Sequence, residues 1–137
     1  MQHPGHFNQI RSKTEENLNV GQIKKVLFNL ARIHPELTAI FLKNGTLTIE
    51  NSPFSNLEII DRRSDQELDW KKELDKLLTD GKLEFHSNEQ LFKVVVFEMS
   101  NKCLLLFIAH HLIIDEISWK NIFDDFKKLK KNILINS

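Results

Sequence analysis

From Asn19 the apolar residues fall at Val20, Ile23, Val26, Leu27, Leu30, Ala31 and Ile33, the three-and-four spacing of a helix that buries one face. Asn19 is placed to cap its start, and the helix must stop before His34-Pro35, because the residue preceding a proline is pushed out of the helical region. Leu37 to Leu42 then predicts a strand. Asn44-Gly45 predicts a tight turn, and Leu47 and Ile49 alternate with polar neighbours on the return strand of a hairpin. Leu57 to Ile60 predicts another short strand. Ser64 with Glu67 three residues on reads as a capping box for a second helix over Asp65 to Leu78, closed near Asp80-Gly81.

Two β-rich runs follow, Leu91 to Met99 and Lys102 to Ala109, separated by Ser100-Asn101. The second is nearly continuous in apolar residues, as a central strand covered on both faces must be. A final helix, Ser118 to Lys131, places Trp119, Ile122, Phe123, Phe126 and Leu129 on one side and lysines on the other. The opening residues to Glu16 are polar except for His6 to Ile10, a candidate edge strand. The pattern is that of an α/β two-layer sandwich, a mixed sheet with the helices packed on it. Trp70, Trp119, Phe7, Phe28, Phe41 and Phe54 read as core packing.

At 137 residues the chain has the length of one domain, read here as 1–137, and 41% hydrophobic with 28% charged residues is the composition of a packed globule. Nineteen basic residues balance nineteen acidic ones, so no bulk attraction to nucleic acid is expected. The lysines at 127, 128, 130 and 131 then read as the solvated face of the last helix. Membrane association is not expected either, since no apolar run reaches the length of a span and the N-terminus lacks a basic-then-apolar export signal. The expected address is the cytoplasm. Cys103 lies inside an apolar run and reads as a small buried hydrophobe.

The stretch with the most chemistry is His110-His111-Leu112-Ile113-Ile114-Asp115-Glu116-Ile117-Ser118-Trp119, between the apolar strand and the final helix. Adjacent strand residues point to opposite faces, so one imidazole can enter the core side while the other faces a cleft. A neutral imidazole suits general-base work near pH 7. By itself, a histidine at a sheet edge is more often packed or hydrogen-bonded than catalytic. A metal bound by His110, His111 and Asp115 lacks the accompanying Cys/His spacing, so no metal is expected. Ser118 lacks the turn that exposes a hydrolase serine and reads as the opening of the last helix. His3, His6, His34 and His86 are scattered and read as surface or capping residues.

This stretch resembles the His-His-x-x-x-Asp motif of the condensation and epimerisation domains of nonribosomal peptide synthetases, whose fold is similar to chloramphenicol acetyltransferase. His34-Pro35-Glu36-Leu37, closing with Phe41, resembles a second segment of that family, and Ser118-Trp119 is shared with many of its members. The resemblance runs from His6 to Leu129 and covers the N-terminal lobe alone, implying a half domain of the acetyltransferase-like fold. It implies that His111 is the catalytic residue, positioning or deprotonating an amine that attacks a carrier-bound thioester. His110 and Asp115 would support the site, with Ser118 and Trp119 adjacent to it. No cofactor would bind directly, since the substrates arrive on the phosphopantetheine of carrier proteins. The implied partners are a peptidyl or acyl carrier protein and a second condensation lobe.

Three departures bear on activity. The second lobe, which forms the channel's other wall, is not in this sequence. Thr38 stands where the family has an arginine that pairs with the motif's aspartate, and Glu116 stands where it has a glycine. Two readings follow: an acyl-transfer (peptide-bond forming) or epimerising enzyme completed by a second lobe, or a non-catalytic remnant that binds a carrier protein or another partner. An open channel wall also predicts self-association as a homo-oligomer, most simply a symmetric dimer.

Overall fold

The two apolar runs pair antiparallel as β5 (Phe92–Glu98) and β6 (Cys103–His110), with Val94 opposite Phe107 and Phe97 opposite Leu104. The computed structural model describes residues 9–49, 52–65, 68–114 and 118–135. It sets these strands in the middle of a four-stranded sheet of order β1-β6-β5-β4, in which β1 (Gln9–Glu16) is antiparallel to β6 and β4 (Leu57–Asp61) is parallel to β5. The sheet is therefore mixed, as the sequence predicts. Strands flanked on both sides must bury both faces, which explains the unbroken apolar runs. Phe92, Val94, Val96, Leu105, Phe107 and Ala109 enter one face, and Val95, Phe97, Leu104, Leu106 and Ile108 the other.

The first face is covered by α1 (Val20–Ile33) and the long C-terminal helix, which bury Ile23, Val26, Leu27 and Leu30, and Ile122 and Phe126, respectively. The second face carries α2 (Trp70–Thr79) through Leu77, with Leu74 and Trp70 partly buried beside it, so a partial third layer adds to the sandwich. Asn19 caps α1 reciprocally with Gln22, each side chain bonding the other's backbone N–H at 2.8 and 3.0 Å. His34 then ends α1 ahead of a 3₁₀ turn, Pro35–Thr38. β2 (Ala39–Phe41) and β3 (Leu47–Ile49) form the predicted hairpin around Gly45, whose φ of +87° is a conformation that glycine adopts without strain.

Several boundaries differ from the sequence reading. β1 begins at Gln9 and runs to Glu16, while His6 to Asn8, and Phe7 with them, lie outside the described residues. Its polar composition hid it: an edge strand gains its backbone hydrogen bonds from β6 whatever its side chains are. The strand predicted from Leu37 starts only at Ala39, because Pro35 sets up the 3₁₀ turn. The second helix starts at Trp70, where the Asp69 carboxylate accepts the N–H groups of Lys71 and Lys72; Glu67 of the expected capping box lies outside the described residues. Phe28, expected in the core, is 42% exposed. His34 is tied into the fold, its Nε2 2.7 Å from Asp125 Oδ2 on the last helix.

Candidate functional site

The sheet delivers both histidines to one place. His110 is the last residue of β6, opposite Gln9 of β1, and His111 opens the short helix α3 (His111–Ile114), which is followed by α4 (Trp119–Ile135). The change from strand to helix between them gives the two imidazoles different surroundings. The ring of His110 is half-buried, edge-on to Phe85 with centroids 5.6 Å apart. Its Nδ1 accepts the N–H of Leu112 at 3.0 Å, which requires a lone pair there and places the proton of the neutral ring on Nε2. Burial lowers its pKa below the ordinary histidine value, and the neighbouring His111 lowers it further. His111 itself is exposed.

Both histidines line an open groove of about 470 Å³ walled by Phe41, Phe85, Leu91 and Leu112, with His86 and Ser87 at its polar side. His86 is the residue that sequence reasoning placed elsewhere. Its backbone N–H bonds Glu89 Oε2 at 3.0 Å, which turns the loop so that it borders the groove. The only sequence signal for this was the return of the chain towards the sheet through Leu83 and Phe85. Such a groove, apolar with imidazoles along one side, can seat an uncharged organic group and exchange a proton with it.

The remaining sequence candidates separate. Asp115 and Glu116 lie outside the described residues. Ser118 Oγ accepts the N–H of Asn121 at 3.4 Å, as a helix-opening residue does, and Trp119 packs on Phe123 and Phe92. Neither lines the groove. Thr38 is buried in the 3₁₀ turn, its hydroxyl donating to Pro35 O at 2.8 Å. Among the described residues no three His, Cys, Asp or Glu side chains gather as a metal site, and no helix is long and apolar enough to cross a membrane.

Solved structures with this arrangement of strands and helices carry the same fold. The epimerization domain from the third module of tyrocidine synthetase B superposes with a TM-score of 0.69 at 19% identity, over 96% of this chain and 32% of that one. A variant of the starter condensation domain of the rhizomide synthetase RzmA gives 0.70 at 10% identity, over 95% and 33%. Bacitracin synthase 2 of Bacillus licheniformis is 28% identical over an alignment of 130 positions that covers 89% of this chain and 5% of that protein. The chain thus spans about a third of each of these solved chains and a small part of the synthase. The family model described as Condensation domain matches residues 1–134, and with that match the chain belongs to the condensation-domain family of nonribosomal peptide synthesis.

Proposed function

We propose that this chain supplies one wall of an acyl-transfer site acting on carrier-bound thioesters, forming a peptide bond or epimerising the bound residue, with a second condensation lobe as the other wall. The observation that carries the reading is the exposed imidazole of His111 at the exit of a fully packed strand, bordering a groove of about 470 Å³. In condensation, the acceptor amine attacks the donor thioester carbonyl, a C–N bond forms, the C–S bond breaks and the carrier thiol leaves. His111 orients the amine and carries its proton towards the departing sulfur. His110, held by Leu112 and Phe85, supports the turn that presents His111, and Asp115 has the supporting role that the family motif implies for it. The substrates are presented on phosphopantetheine, so the chain itself binds no cofactor.

The test joins the chain to a condensation C-terminal lobe and supplies donor and acceptor carrier proteins, both loaded, reading the condensed product by mass and any epimerised residue by chiral chromatography after hydrolysis. His111→Ala should lower turnover by about 100-fold or more. Turnover unchanged by that substitution removes the catalytic role. One observation favours the second reading, a non-catalytic carrier- or partner-binding module: Thr38 stands in place of the family's arginine and brings no positive charge to pair with a carboxylate. Binding of loaded carrier protein without turnover would select it.

A further inference from the structure

The described sheet is open at β4. Alternate residues of a parallel strand bond the same neighbour. Asn56 O accepts the Val94 N–H at 3.0 Å and the Arg62 N–H donates to Glu98 O at 2.8 Å, so the even-numbered residues face β5. The backbone groups of Ile59 and Asp61 therefore point to the open side. Leu57 and Ile59 stand on the same face as Val94 and Val96, the face that α1 covers. The helix lies inward of this edge, and a groove remains between α1 and residues 52–59. Its two halves, of about 340 and 520 Å³, share Phe28 and Phe54. Ile59 is 37% exposed there, so with Phe28 the groove has an uncovered apolar floor.

Lys24, Lys25 and Arg32 border the same groove and are exposed. Among the described residues none of the three reaches a carboxylate within ion-pair distance, although the chain as a whole is neutral. A second copy's β4 is a poor match: its carboxylates Glu58 and Asp61 are already engaged by Lys82 and Arg63, at 3.6 and 2.8 Å.

We propose that the open edge of β4 and the groove beside α1 receive an extended acidic segment of another polypeptide, added to the sheet as a further strand. The backbone of that segment bonds Ile59 and Asp61. Its groove-side apolar residues cover Phe28, Leu57 and Ile59, and its groove-side carboxylates meet Lys24 and Lys25 at one end and Arg32 at the other. A helix in the groove would cover the apolar floor but leave the strand edge unbonded. This surface shares no lining residue with the histidine groove, so it stands independently of the acyl-transfer reading.

The probe is a fluorescent peptide, Glu-Thr-Ile-Thr-Val-Thr-Glu, whose alternate residues place two apolar groups between two carboxylates about 20 Å apart on one face. Anisotropy should show saturable binding to the full chain, weakened about tenfold or more by Lys24→Glu with Lys25→Glu, and similarly by exchanging the peptide's glutamates for lysine. Methylating the peptide amides that face β4 should abolish binding. Equal affinity for the methylated peptide overturns the added strand, and equal affinity for the charge-reversed protein or peptide overturns the acidic partner. No saturation up to about 1 mM overturns the whole proposal, as does a dimeric mass by light scattering that Ile59→Pro converts to monomer, because a second copy then holds the edge. Unchanged melting of the charge-reversed variant confirms that binding, not folding, is being read.

Discussion

Lys130 Nζ lies 2.6 Å from Glu16 Oε2, joining the last residue of β1 to the outer helix α4. The Glu16 side chain is only 9% exposed and also accepts the Thr14 hydroxyl at 3.0 Å, whereas Lys130 keeps part of its surface in water. The pair is therefore asymmetric. Removing the lysine leaves a carboxylate with little hydration, while removing the charge on the glutamate leaves a lysine that can turn to solvent. Lys130→Met should cost about 1–3 kcal/mol and Glu16→Gln less, measured by urea unfolding. Equal costs would mean that the carboxylate finds another donor.

The His110 ring yields a pH prediction. Its folded pKa is depressed, so the folded state binds its proton less readily than the unfolded chain does. The contribution is present in full above the unfolded value of about 6.5 and is lost as the pH falls below it. The Leu112 N–H bond to Nδ1 fails in the same direction, since a protonated ring has no lone pair there. Between pH 7 and pH 5 the chain should lose more melting temperature than its His110→Asn variant. Parallel curves would disprove the coupling.

Phe107 sits at the centre of the first face, 5.9 Å from Phe92 and edge-on to Phe123 and Phe126 at 5.3 and 5.8 Å. Truncation there removes one ring from three contacts at once. Phe107→Ala should cost about 3–5 kcal/mol, enough to threaten folding of a small domain at 37 °C. A loss under about 1 kcal/mol would show that the helices repack over the cavity.

The sequence made some of this legible because single residues carry strong local physics. Asn19 could cap only a helix starting at Val20, His34-Pro35 could only end it, and Asn44-Gly45 could only turn a hairpin. β5 and β6 were legible because burial on both faces leaves no polar positions. β1 was legible only at Gln9 and Ile10, the end of the candidate edge strand, since Arg11, Lys13 and Glu15 give no apolar signal until β6 is known to lie alongside; Lys13 stacks 4.4 Å over the Trp70 ring on the α2 face. Of the site, the adjacent histidines were legible from the family motif, but the strand alternation expected to send them to opposite faces does not apply, because the chain turns from strand to helix between them and both border one groove. His86 was not legible, because it reaches the groove through a loop whose course is set by tertiary contacts.

Cys103 gives a prediction about reactivity. It opens β6 on the packed face at 2% exposure. Burial raises its thiol pKa, Glu98 across the ladder adds to the rise, and a backbone hydrogen bond with Met99 offsets part of it. Attack on a thiol reagent needs the thiolate and access together, and the native fold withholds both. Labelling by a disulfide reagent at pH 8 should therefore be at least about 1,000-fold slower in the native chain than in denaturant, and should accelerate in step with global unfolding as urea is added, because strands at the centre of a sheet open only with the whole domain. The sign of the linkage runs opposite to that of His110: a thiol held neutral in the fold ionises first in the unfolded chain, so its contribution is present below the unfolded value and is lost as the pH climbs through it. Rapid native labelling independent of urea would mean that β6 frays from its Cys103 end, and that the edge formed with β1 opens locally.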